Sequence, residues 1–144
     1  CDIAIASEAA SFRLSEVALG LIPAVISPYV VSAMGERQAR RYFVTAERFD
    51  AAAAQRMNLI HQVVPAEALD GVVDAILDTM TGNGPAAMVA AKDLIQAVSH
   101  GPIDRTMIED TAGRIASIRA SAEGREGVDA FFNKRKPTWI SPKR

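Results

Sequence analysis

An α/β fold is predicted for this chain, and three observations predict it. The chain opens on an apolar run that contains Ile3 and Ile5. A second apolar run, Leu59 to Val64, is closed by Pro65. Beyond it, apolar residues recur at helical spacing almost to the end of the chain. Strands therefore come first, and mostly helices follow.

Ile3, Ile5 and the alanines around them read as a buried strand, whose near-continuous apolarity suits a sheet covered on both faces. Ser11 to Arg13 forms a second, short strand. Ser15 is the expected N-cap of a helix with Glu16 in its first turn, where the helix dipole favours an acid. Gly20 and Pro23 punctuate that helix early. Ser27 is expected to cap the next helix, with Pro28 at its first position, and Gly35 to stop it after Met34. Glu36 to Thr45 reads as a third, arginine-rich helix. Asp50 caps a short one, Ala51 to Met57, ahead of the Leu59–Val64 strand.

Longer helices follow. Leu69, Val72, Val73, Ile76, Leu77 and Met80 form one apolar stripe at helical spacing. Thr81 to Gly84 is a turn, and Pro85 starts a helix carrying Met88, Ala91, Leu94, Ile95 and Val98. Ile103, Met107, Thr111, Ile115, Ile118 and Ala122 mark a face of a further long helix, and Gly124 to Asn133 is the last.

The chain has 144 residues, with 16 basic and 17 acidic side chains and a formal charge of −1. That balance supplies no electrostatic reason for a nucleic acid or an anionic membrane as partner. No apolar run reaches the roughly 18 residues of a membrane-spanning helix. The single cysteine, Cys1, excludes an intrachain disulfide and makes a reducing, cytoplasmic setting the default. His61 and His100 are not spaced as a metal pair; His100 is expected to end a helix before Gly101. No nucleophile–base constellation stands out, and no metal or redox cofactor is implied. Phe131, Phe132 and Trp139 are expected to pack the tail. The opening inside an apolar run reads as a cut through an element, or as the product of processing. So few strands leave the opening strand short of neighbours.

Three stretches carry a family resemblance. The first runs from Cys1-Asp2-Ile3-Ala4-Ile5 through Ser11-Phe12-Arg13-Leu14-Ser15-Glu16 to Gly20-Leu21-Ile22-Pro23. The second is Thr45-Ala46-Glu47-Arg48-Phe49-Asp50-Ala51, continued by Met57-Asn58-Leu59-Ile60-His61-Gln62-Val63-Val64-Pro65. The third is Glu126-Gly127-Val128-Asp129-Ala130-Phe131-Phe132-Asn133-Lys134-Arg135-Lys136-Pro137. In this order and spacing they resemble the second half of an enoyl-CoA hydratase/isomerase (crotonase-family) subunit. The resemblance implies the end of a crotonase-like spiral of two strands and a helix per turn over residues 1–65. It implies a helical region used for trimer assembly over 66–144, and an N-terminal half of the family domain that lies before Cys1. It also implies a homotrimer or a dimer of trimers.

Hydratases of this family add water across the double bond of an enoyl thioester. Two glutamates hold and activate the water, and two backbone N–H groups bind the thioester oxygen as it gains enolate charge. Glu16 matches the second glutamate. The first, and both oxyanion N–H groups, match positions upstream of Cys1. Without the family, Glu16 is simply an acid in a helix's first turn. Related Δ3,Δ2-enoyl-CoA isomerases resemble this region too and work with one carboxylate at this position, so isomerisation stays open. Ala24 stands where dienoyl-CoA isomerases place an aspartate; an alanine cannot transfer a proton, which counts against that branch.

The family's glycine-rich loop after the glutamate is replaced here by Pro23-Ala24-Val25-Ile26-Ser27-Pro28. Ala24, Val25 and Ile26 thereby become candidate acyl-pocket residues. Ile26 to Val31 together with Gly35 to Phe43 resemble bacterial methylglutaconyl-CoA hydratases of leucine and isoprenoid catabolism. A branched acyl group with a distal carboxylate would want a cation, and Arg13 is the candidate, against the plainer reading of a solvated surface arginine. Arg37, Arg40 and Arg41 read as a solvent face or subunit contacts. Lys134 matches a lysine that in some members reaches the CoA phosphates of a neighbouring subunit, against a merely soluble basic tail. Ile115 stands near where some relatives place an aromatic beside the CoA adenine. Coenzyme A would enter as part of the substrate. A reading from another class is a catalytically silent oligomerisation module, supported by the apolar helix stripes.

Overall fold

The computed structural model describes residues 1–140, and the chain divides into two compact units, Cys1–Asp74 and Ala75–Arg144. Strands and helices are interleaved up to Val64, and beyond it the described regular elements are all helical, which the apolar periodicity predicts. Among the described residues there are four short strands: β1 (Ile5–Ser7), β2 (Ser11–Phe12), β3 (Phe49–Asp50) and β4 (Gln62–Val64).

In the first unit β1 pairs in parallel with β4, with Ile5 opposite Gln62, Ala6 opposite Val63 and Ser7 opposite Val64. The ladder extends at both ends. The His61 N–H donates to the Ala4 carbonyl at 2.8 Å, and the Glu8 N–H to the Val64 carbonyl at 2.9 Å. The His61 ring completes the first contact, its Nδ1 accepting the Ala4 N–H at 3.0 Å. The opening strand thus finds one neighbour within the chain itself, and Ile3 lies outside it and exposed. β2 and β3 pair antiparallel, Phe12 opposite Phe49.

Helix α1 (Ser27–Thr45) passes through Gly35, whose φ of 78° and ψ of 157° join two helical segments at a kink. A side chain is strongly disfavoured in that region of backbone space, which is why glycine stands there. The two serines expected to cap helices do not. Ser15 is itself in a helical conformation with no capping bond, and Ser27 sits inside α1, donating its hydroxyl to the Ala24 carbonyl at 2.8 Å. Asp50 does cap α2 (Ala51–Arg56), accepting the Ala53 N–H at 2.7 Å. Leu59 and Ile60, expected in a strand, instead follow a left-handed Asn58 (φ 62°). They turn back onto α2, the Leu59 N–H reaching the Ala54 carbonyl at 2.9 Å. Their apolarity comes from packing against the core of Val30, Met34, Ala39, Tyr42, Phe49, Ala51, Ala54 and Met57.

The division between the units falls within α3 (Leu69–Thr81). In the second unit α4 (Pro85–Val98), α5 (Arg105–Ala120) and α6 (Ala122–Phe132) pack on one another. The long stripe expected over Ile103–Ala122 is cut at both ends. Asp104 caps α5, accepting the Met107 N–H at 2.9 Å, and leaves Ile103 exposed. Ser121, with extended backbone, ends α5 and caps α6, its hydroxyl accepting the Gly124 N–H at 2.9 Å. Helix α4 ends at Val98 with Ser99 as its cap, so His100 and Gly101 lie beyond it. Phe131 and Phe132 do not pack the tail: they are 78% and 75% exposed and meet only edge to face. Trp139 does, its indole N–H donating to the Gly82 carbonyl at 3.2 Å.

Candidate active site

Glu16 opens a short 3₁₀ helix, Glu16–Leu19, that ends at a left-handed Gly20 with φ 73°. Its anchors lie on both sides in sequence. Upstream, the Phe12 ring stacks on Phe49 at 5.6 Å, and Phe49 in turn meets Tyr42 at 4.4 Å, which ties β2 to the core. Arg13 then donates its Nε–H to the Ala46 carbonyl at 2.7 Å. Ala46 is the left-handed cap of α1 (φ 51°), so a cation there suits the helix's C-terminal dipole. Downstream, the Leu21 N–H closes on the Glu16 carbonyl at 3.0 Å, and Pro23 is buried. The backbone that carries Glu16 is held from both directions.

The side chain is the unusual part. Glu16 Oε2 is buried with no hydrogen-bond partner among the described residues, and no other buried side-chain oxygen or nitrogen among them is left so. Burying a carboxylate oxygen without a donor is unfavourable, and such groups are rare in folded proteins. Where one occurs, a role in binding or proton transfer is the physical explanation to test. The surface next to it in sequence is apolar: Leu19, Leu21, Ile22 and Tyr29 are exposed, and Val25 is 90% exposed. The turn at Ala24–Ile26 is held by Ser27, whose N–H reaches the Pro23 carbonyl at 3.0 Å and whose hydroxyl reaches Ala24.

Glu16, Arg13, Ala24, Val25 and Ile26 therefore all belong to the first unit. Lys134 belongs to the second, in the turn after α6, left-handed at φ 52° and exposed. Ile115 is 65% exposed and lines an open groove of about 600 Å³ between α4 and α5. Leu94, Ile118 and several alanines share its wall, with the Arg114–Asp110 ion pair (2.6 Å) beside them. Arg40 and Arg41 form exposed ion pairs with Glu36 and Glu47 at 2.6 and 2.5 Å. No group of His, Cys, Asp or Glu among the described residues is arranged to hold a metal ion, and no described helix is long and apolar enough to cross a membrane.

One cluster escaped the sequence reading. Arg135 grips both oxygens of Glu126, at 2.6 and 2.8 Å, and one oxygen of Asp129 at 2.5 Å. Glu126 also accepts the Thr138 N–H at 2.8 Å. The Arg135–Glu126 contact joins residues nine positions apart across a helix end, so no helical spacing announces it.

The whole described chain has known counterparts. The sequence model of the enoyl-CoA hydratase/isomerase family matches residues 1–142. A crystal structure of an enoyl-CoA hydratase from Shewanella pealeana superposes with a TM-score of 0.91 at 52% identity, over 96% of this chain and 51% of that one. An enoyl-CoA hydratase/isomerase from Marinobacter aquaeolei superposes with a TM-score of 0.90 at 35% identity, over 97% and 53%. An enoyl-CoA hydratase of Alternaria alternata is 32% identical over 139 residues, 94% of this chain and 46% of the relative. The chain thus spans about half the length of the curated relatives it matches.

Proposed function

Because the chain belongs to the enoyl-CoA hydratase/isomerase family and has its α/β crotonase fold, we propose that the complete protein hydrates an α,β-unsaturated acyl-CoA thioester, with Glu16 as one of the two carboxylates that activate water. The observation that carries this reading is the buried, unpartnered Oε2 of Glu16 on a backbone anchored on both sides. A carboxylate so placed is ready to accept a hydrogen bond from a water or to exchange a proton with a carbon. In the hydration, a carboxylate takes a proton from the water as its oxygen bonds to the β-carbon of the enoyl group. The π pair of the double bond shifts toward the α-carbon and the thioester oxygen, and a carboxyl delivers the balancing proton to the α-carbon. The second carboxylate and the oxyanion donors would come from outside residues 1–144.

The exposed turn Ala24–Ile26 would form part of the acyl pocket, with Val25 and Ile26 adding bulk that favours a branched, methylglutaconyl-CoA-like acyl group. Arg13 would meet a distal carboxylate only through its terminal nitrogens, since its Nε–H is held by Ala46. Lys134 would contact the CoA phosphates, and CoA would be brought by the substrate. Residues 66–144 would supply the assembly surface of a trimer or a dimer of trimers, in the cytoplasm.

Isomerisation of a 3-enoyl thioester is the second reading. It needs one carboxylate, and Glu16 is the one such group with an unpartnered buried oxygen among the described residues.

The test is Glu16→Gln in the complete protein. Loss of enoyl absorbance on hydration should slow by about 10²–10⁴-fold, with the oligomer seen by light scattering unchanged. Near-normal turnover would remove Glu16 from the chemistry. Conversion of a 3-enoyl to a 2-enoyl thioester, with no hydration of the 2-enoyl form, would favour the isomerase.

A further inference from the structure

We propose that Arg135 is a positioning residue, which folds the segment after α6 back onto that helix and so presents the Lys134 ammonium to the phosphates of a CoA carrier. The inference rests on the reading of Lys134 as a phosphate ligand given above.

Helix α6 ends at Phe132, and the chain then turns sharply. The Lys134 N–H reaches the Phe131 carbonyl at 3.2 Å and the Arg135 N–H reaches the Ala130 carbonyl at 3.0 Å. Asn133 holds the inner side of the turn, its amide donating to the Asp129 carbonyl at 3.0 Å and to the Asp129 carboxylate at 2.9 Å. This path requires Lys134 to be left-handed, φ 52°, a conformation that a lysine does not choose unaided. Something must hold it there, and the strongest contacts available are those of Arg135. Its guanidinium takes Glu126 with both terminal nitrogens and Asp129 with one.

Glu126 then takes the Thr138 N–H as well, so the segment 135–138 is pinned at both ends to one carboxylate. Beyond it the Trp139 ring lies so close to Gly127 that a Cβ built there would sit 3.0 Å from it. The bond from the Trp139 indole to Gly82 is a further tether. Glu126 is held down to about 2 by its bond from Arg135, aided by the Thr138 N–H, so it stays ionised at every working pH.

The three consecutive cations therefore divide their work. The charge of Arg135 is answered by two carboxylates, whereas the ammonium groups of Lys134 and Lys136 form no ion pair with a described residue. Arginine is suited to the first task, because its planar fork grips a carboxylate bidentately. Lysine, a mobile point charge, is suited to meeting a phosphate. A lysine at position 135 would keep the charge and lose the fork. This separates positioning from bulk electrostatics.

The experiment uses the complete protein and two probes, free CoA and pantetheine, which lacks the phosphates. Dissociation constants are measured by calorimetry, with pantetheine read by competition. Lys134→Ala should weaken CoA roughly tenfold and leave pantetheine unchanged. Arg135→Lys should do the same, and so should Glu126→Gln, which serves if Arg135→Lys does not fold. If Lys134→Ala weakens CoA while Arg135→Lys and Glu126→Gln bind it normally, the positioning role is wrong and the ligand reading survives. If Lys134→Ala leaves CoA unaffected, the ligand reading fails and the inference falls with it. If Arg135→Lys weakens CoA and pantetheine alike, its role is only structural and the inference is overturned.

Discussion

Glu123 and Ala87 are joined by a hydrogen bond that serves two helices at once. The Glu123 carboxylate stands in the first turn of α6 and accepts the Ala87 N–H at 2.8 Å and the Ala86 N–H at 3.0 Å. Helix α4 has no cap of its own: Gly84 precedes it without a side chain, and Pro85 removes one N–H. A carboxylate from another helix takes the place of the local cap and meets the positive end of the α4 dipole. Glu123→Ala should therefore destabilise the complete protein by about 1–2 kcal/mol. Urea unfolding measures this. Glu109→Ala, which removes an exposed partner of Arg105, should change stability by less than about 0.5 kcal/mol. Equal losses in the two variants would show that Glu123 is an ordinary surface acid.

Gly35 and Gly113 should respond to alanine with opposite signs. A Cβ at either meets no atom within 4 Å, so packing does not enter. At Gly35 the backbone sits at φ 78°, ψ 157°, and alanine there should cost about 1–3 kcal/mol. Gly113 lies inside α5 with no positive φ, and alanine should stabilise by roughly 0.5–1 kcal/mol. Melting temperatures of the two variants that shift in the same direction would contradict this account of the kink.

Gly124 is required for a different reason. A Cβ there would run into the Ile118 carbonyl, a backbone atom that cannot swing aside. This is the close approach created where Ser121 ends α5 and starts α6. Gly124→Ala should cost about 1–3 kcal/mol by forcing the two helices apart. A chemical denaturation midpoint equal to that of the unmodified protein would mean that the corner yields freely.

The Glu126–Arg135 pair should make stability depend on acid pH. Its bonds from Arg135 and the Thr138 N–H hold the Glu126 carboxyl at about 2, below its ordinary 4.5. A carboxyl lowered on folding stabilises fully above its unfolded value, and that contribution is lost as pH falls from there toward its folded value. Melting temperature should thus fall between about pH 5 and about pH 2, and more gently in Glu126→Gln. Parallel curves for the two proteins would show that this pair contributes nothing to the acid limb.

The elements that were legible in the sequence are those with a local cause. Asp50 caps α2 because its carboxylate reaches an N–H three residues on, and Pro85 opens α4 because its ring already has a helical φ. Gly35 marks the kink because only glycine tolerates that backbone. Ser15 and Ser27 have the same capping chemistry as Asp50 and misled, because their backbones are already helical and their hydroxyls are turned elsewhere or unused. Leu59 and Ile60 misled because apolarity reports burial without saying in which conformation. A turn packed on α2 needs the same side chains as a strand.

Apolar spacing and local punctuation by themselves determined most of the helices and several of the breaks between them, and the motif around Glu16 carried the resemblance to the family. Tertiary structure alone decided that Glu16 keeps a buried oxygen without a donor among the described residues, that Glu123 caps a helix 36 residues away, and that Arg135 is spent on Glu126 and Asp129. The reason is one of range. Backbone preferences act over three or four residues and leave a period in the sequence. The pairing of polar groups depends on which surfaces meet after folding, and no spacing records that.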